Sequence, residues 1–66
     1  MKKRRNQVDI NRHDRDLVHA AEKTHYSDWG DVAFMEERAQ TLDGRKLLHE
    51  IRTRLYHAEE AKAGLL

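Results

Sequence analysis

SDWGDVAFMEERAQTLDGRKLLHEIRTRLYHAEEAKAG, running from Ser27 to Gly64, carries apolar residues at heptad-like spacing on either side of Leu42-Asp43-Gly44. Val32, Met35, Ala39 and Leu42 form one seam, and Leu48, Ile51, Leu55 and Ala58 form another. Spacing of three and four places each set on one side of a helix, so the stretch predicts two amphipathic helices, 27–42 and 44–63, as an antiparallel αα-hairpin. Ser27 is a suitable N-cap, and Asp28 and Asp31 complement the positive end of the second helix's dipole. Asp43-Gly44 reads as the turn, and Gly64 as the residue that ends the last helix.

Working toward the N-terminus, residues 11–24 predict a further helix. Ile10, His13, Leu17, Val18, Ala20 and Ala21 fall on one broad face, and Arg12, Arg15, Asp16, His19 and Lys23 fall opposite. The apolar face is thin, so this helix needs the hairpin to pack against. Residues 1–8 have no apolar periodicity and include Lys2-Lys3-Arg4-Arg5, which reads as a flexible basic arm. The expected fold is all-α, with two or three helices, an arm at 1–8 and one small helical domain at 9–66. Its expected core is Ile10, Leu17, Val18, Ala21, Trp29, Val32, Met35, Ala39, Leu42, Leu48, Ile51, Leu55 and Ala58.

Composition agrees with helices joined by short connections. Proline and cysteine are absent, glycine occurs three times, and 38% of the 66 residues are charged. A chain this short buries only about 60% of its unfolded-state surface. With no disulfide to add support, a homodimer or an obligate complex is expected. No apolar run approaches the ~18 residues that would span a bilayer, and no hydrophobic segment follows the basic N-terminus, so no membrane association is expected and the cytoplasm is the default location.

The net charge of +1 conceals a polarised distribution. Four of the thirteen basic residues stand in positions 2–5, leaving nine against all twelve acids. The second helix is acidic, through Asp28, Asp31, Glu36 and Glu37. The third begins with Arg45 and Lys46 and continues through His49, Arg52 and Arg54.

Two binding functions follow from this pattern. Lys2, Lys3, Arg4 and Arg5 suit a phosphate backbone, and Arg45, Lys46, His49 and Arg52 form a second basic flank, which together predict a small regulatory protein bound to DNA or RNA. The basic flank also has a plainer reading, in which it pairs with the acidic helix inside the hairpin. The alternative function is a protein-binding module or inhibitor, with Trp29, Phe34, Asp28, Asp31, Glu36 and Glu37 occupying a basic site on a larger partner. Phe34 lies almost opposite its helix's apolar seam, which makes it the residue most at odds with a lone monomer.

Catalysis has little support. The chain has no thiol nucleophile and no glycine-rich phosphate loop, and its sole serine reads as a cap. Adjacent Glu36 and Glu37 diverge by about 100° on a helix and cannot act as a facing carboxylate pair. The five histidines include no pair at i, i+3 or i, i+4. His19 with Glu22, and His57 with Glu60, are spaced as in di-iron bundles but fall on polar faces. No cofactor, metal or catalytic residue is therefore expected.

Overall fold

The computed structural model describes residues 10–64, which form three α-helices and one 3-10 turn, with no strand among them. The helices are α1 (Arg12–Glu22), α2 (Trp29–Arg38) and α3 (Leu42–Gly64), and the 3-10 turn is Tyr26–Asp28. The all-α expectation holds. The expected arm at 1–8 lies outside the described residues.

Helix α1 starts where Asn11 adopts an extended conformation and its side-chain oxygen accepts the Asp14 N–H at 2.9 Å. Satisfying one of a helix's unpaired first N–H groups in this way fixes where the helix begins. Its inner face buries Asp14, Val18 and Ala21, with Leu17 half-buried beside them. At the other end, the Lys23 and Thr24 N–H groups bond back to Ala20 and Ala21, and the Thr24 hydroxyl donates to the Ala20 carbonyl.

The start of α2 differs from expectation. Ser27 belongs to the 3-10 turn, and its N–H is donated to Nδ1 of the exposed His25 ring at 3.2 Å. No side chain caps α2, which opens at Trp29 and contains Gly30. Gly30 is exposed, with open space where a Cβ would stand.

The connection between α2 and α3 also differs, and here the difference reorganises the molecule. Ala39 is extended, with ψ of 138°, so α2 stops at Arg38. Thr41 then caps α3: its hydroxyl accepts the Gly44 N–H at 3.0 Å, and its carbonyl accepts the Arg45 N–H. Gly44 accordingly sits inside the first turn of α3, where it is buried. The break resets the helical phase, so Leu42, expected at the end of the core seam, is 74% exposed.

A carboxylate from α1 holds this corner. Asp14 is fully buried. It accepts the Gln40 N–H at 2.9 and 3.0 Å, the Thr41 N–H at 2.7 Å and the Thr41 hydroxyl at 2.5 Å, with His13 Nδ1 at 2.9 Å. Burial alone would push the Asp14 carboxyl up. The bonds from the Thr41 hydroxyl, the Gln40 N–H, His13 and the Thr41 N–H outweigh it and hold the carboxyl well below the usual range. Gly44 is required beside it, because a Cβ there would stand 2.7 Å from both Asp14 Cβ and Thr41 Oγ1. Asn11 adds a bond from its amide to the Gln40 side chain at 2.9 Å.

The apolar core lies between the three helices: Val18, Ala21, Val32, Ala39, Leu48 and Ile51 are buried, and Leu17, Met35, Leu47 and Leu55 pack around them. Fully burying a side chain such as Val32 or Leu48 contributes about 1.5–3 kcal/mol. Ile10, Trp29 and Ala58, also expected in the core, are half-buried. Contacts between α2 and α3 pair them in reverse order, with Glu36 meeting His49 and Arg52, and Trp29 meeting Glu59.

Candidate nucleic-acid interface

The basic flank expected on α3 divides into two parts. Arg45 and Lys46, in its opening turns, are exposed and engage in no side-chain ion pair among the described residues. His49 and Arg52, farther along, face α2. Arg52 Nε donates to Glu36 Oε1 at 2.7 Å, and His49 Nδ1 lies 3.1 Å from Glu36 Oε2. Arg52 Nη2 also lies 2.9 Å from His49 Nδ1, and that single ring nitrogen serves either Glu36 as donor or Arg52 as acceptor. Burial of Glu36 would raise its carboxyl pKa, but Arg52 and His49 together bring it below the ordinary value. This pair is half-buried, and it joins the acidic helix to the basic one at mid-length.

Arg45 and Lys46 border one of two shallow grooves that meet at Leu42. Ile10, Asn11, Thr41, Leu42 and Asp43 line one shallow groove, and Leu42 also borders the next, lined by Glu36, Arg45, Lys46, His49 and Glu50. Lys2, Lys3, Arg4 and Arg5 themselves lie outside the described residues.

The Asp14 carboxylate lies at the start of α3 and takes the hydrogen bonds of Gln40 and Thr41, the two residues that precede the helix. Reading the sequence locally misses Asp14, which sits in the strongly charged run Arg12-His13-Asp14-Arg15-Asp16. Its signal was its place on the helical wheel, on the same side as Leu17, Val18 and Ala21.

Of the residues expected at a protein interface, Phe34 is 66% exposed, and Asp28, Asp31 and Glu37 are exposed as well. Trp29 is half-buried and turned inward, its indole N–H donated to Glu59 at 2.8 Å and its ring meeting Tyr56 edge-on at 5.2 Å. Glu36 is taken up by Arg52 and His49. Among the described residues, no three His, Asp or Glu side chains converge as metal ligands would, and no helix is long and apolar enough to cross a membrane.

Comparison with known protein families, characterised proteins and solved structures gives no match to this chain.

Proposed function

We propose that this chain is a small, non-enzymatic regulatory binding protein that associates with nucleic acid. The observation that carries the reading is the exposure of Arg45 and Lys46 at the start of α3, where they border a shallow groove and engage in no side-chain ion pair among the described residues. Lys2, Lys3, Arg4 and Arg5 add four consecutive cations in the sequence. Cations of this kind act on a phosphate backbone, and binding releases condensed counterions. Arg52 and His49 contribute less to this surface, because Glu36 engages them. Self-association belongs to the proposal, since the six buried apolar side chains among the described residues make a small core.

The test is anisotropy of labelled DNA and RNA against the full chain and a variant with residues 2–5 changed to alanine, across a salt series. Binding that weakens steeply with salt and is largely lost in the variant supports the reading. No binding to either nucleic acid at low salt refutes it.

The exposure of Phe34 favours a second reading, in which the outer face of α2 docks onto a basic protein surface through Phe34, Asp31 and Glu37. The two readings respond oppositely: changing residues 2–5 impairs the first and spares the second, whereas Phe34→Ala does the reverse.

A further inference from the structure

We infer that the outer face of α2 is a two-fold interface with a second copy of this chain. The two α2 helices lie antiparallel, Phe34 packs on Phe34 of the second copy, and Asp31 pairs with Arg38 of that copy. This deepens the self-association in the proposed function and rests on that part of it.

The face is built around one exposed ring. Val32 is fully buried and Met35 packs on the core, so the helical repeat turns Phe34, between them in sequence, toward solvent. An aromatic ring of this size removes about 150–250 Å² from water when it is covered, which makes it the natural centre of an interface.

The charges around the ring form a pattern that complements itself. At about 100° per residue, Asp31 and Arg38 lie about 60° and 40° to one side of Phe34, and Glu37 lies about 60° to the other. All three are exposed. Asp31 and Arg38 engage in no side-chain ion pair among the described residues. Their own helix offers them none: no cation stands three or four positions from Asp31, and no acid stands three or four from Arg38. That separates them from Glu36, whose charge is met by Arg52 and His49.

Turned antiparallel about an axis between residues 34 and 35, two α2 helices bring the same side of each together. Asp31 of one copy then stands level with Arg38 of the other, and the pairing occurs twice. The two rings meet at the centre, offset by about 1.5 Å along the helix. On the far side, Glu37 meets Gly30 and Ala33 of the second copy, which are small and uncharged, and in its own chain it shares a groove with Arg45. A second copy suits this face better than a basic partner, because Arg38 borders Phe34 as closely as the acids do and would oppose a cationic surface. Two-fold dimers require one patch to complement itself, as this one does. A single helix face makes a small interface, so the dimer forms in the micromolar range or above.

Sedimentation equilibrium of the full chain from about 5 μM to about 1 mM reads the association. The full chain follows a monomer–dimer equilibrium. Phe34→Ala weakens it about 100-fold or more, because a symmetric dimer loses both rings at once. Asp31→Arg and Arg38→Asp each weaken it about tenfold by opposing like charges, and an equimolar mixture of the two recovers the affinity, since each supplies the charge the other lacks. Arg54→Ala, an exposed charge on α3, leaves it unchanged. Circular dichroism checks that the variants stay helical, and in dilute solution, where monomers prevail, Phe34→Ala melts as the full chain does.

A monomer at every concentration overturns the inference together with the self-association, and leaves this face to a basic protein surface. A dimer that Phe34→Ala leaves intact, or whose charge reversals have no effect or do not recover on mixing, overturns the inference and leaves self-association standing. Dimerisation as described, in a chain that binds no nucleic acid at low salt, sustains the inference and removes the nucleic-acid reading alone.

Discussion

Replacing Asp14 with asparagine alters one functional group and almost no volume, yet it strikes the point where all three helices meet. The carboxylate accepts the N–H groups of Gln40 and Thr41 and the Thr41 hydroxyl. Hydrogen bonds to a charged partner contribute about 1.5–3 kcal/mol each, and a buried donor left unpaired costs about 1–3 kcal/mol. Asparagine keeps one acceptor oxygen but sets an NH2 group against donors, so at least one of these bonds is lost and another becomes a clash. A loss of about 2–4 kcal/mol at pH 7 follows, less than the simple sum because bonds that share one carboxylate do not contribute additively. Domains of this size are stable by roughly 3–10 kcal/mol in total, so the change removes a large share. Urea unfolding followed by circular dichroism reads it directly. The pH dependence adds a second signature. The folded Asp14 carboxyl is held below the ordinary value of 3.8, so the unfolded chain takes up the proton first. The stabilisation is therefore complete above about pH 4 and fades as pH falls toward the folded value. The gap between the natural chain and Asp14→Asn should narrow below that point, with the contribution of Glu36 cancelling between the two. A variant within about 0.5 kcal/mol of the natural chain at pH 7, or a gap that does not narrow in acid, would refute the reasoning.

The two helical glycines should respond to alanine with opposite signs. Gly30→Ala meets no atom within 4 Å and should stabilise α2 by about 0.5–1 kcal/mol, whereas Gly44→Ala drives a methyl into Asp14 and Thr41 and should destabilise by about 1–3 kcal/mol. Thermal melts of the two variants decide it, and shifts of the same sign would contradict the packing described. Glu36→Gln should cost about 1 kcal/mol in urea unfolding by weakening the bond from Arg52, with Arg52→Gln giving a similar loss and the double variant less than the sum. Phe34→Ala should leave the melting temperature nearly unchanged, a change within about 0.5 kcal/mol, and a larger drop would place the ring in the core.

What the sequence reveals here tracks how local the physics is. The apolar spacing of Val18 and Ala21, and of Leu48 and Ile51, identifies α1 and α3 and half of the core, because helical periodicity depends only on near neighbours. The corner at residues 39–44 was not legible in this way. Asp43-Gly44 resembles a turn to any local rule, but the glycine is needed inside a helix because a carboxylate 30 positions earlier fills the space beside it. Leu42 was misplaced for the same reason: the seam through Val32, Met35 and Ala39 extrapolates to it only if the helix continues, and the extended Ala39 breaks the phase. For the candidate interface, charge sign was legible but charge availability was not. Arg45 and Arg52 look alike in the sequence, and only the approach of α2 commits one of them to Glu36.

The corner also has a consequence for how this sequence can diverge. Asp14, Thr41 and Gly44 each make sense only in the presence of the other two: the acid needs the hydroxyl, the hydroxyl needs the N–H of residue 44, and the acid needs residue 44 to lack a side chain. Single replacements are penalised, while a joint exchange for an apolar trio of similar volume need not be. The three positions should therefore be inherited as a block and change together or not at all. Asn-x-x-Asp, with Thr-x-x-Gly beginning 27 positions after the acid, is then a more durable marker of descent than the charged surface around it. Distant relatives that have lost overall similarity would be recognised by that spacing before any function is known.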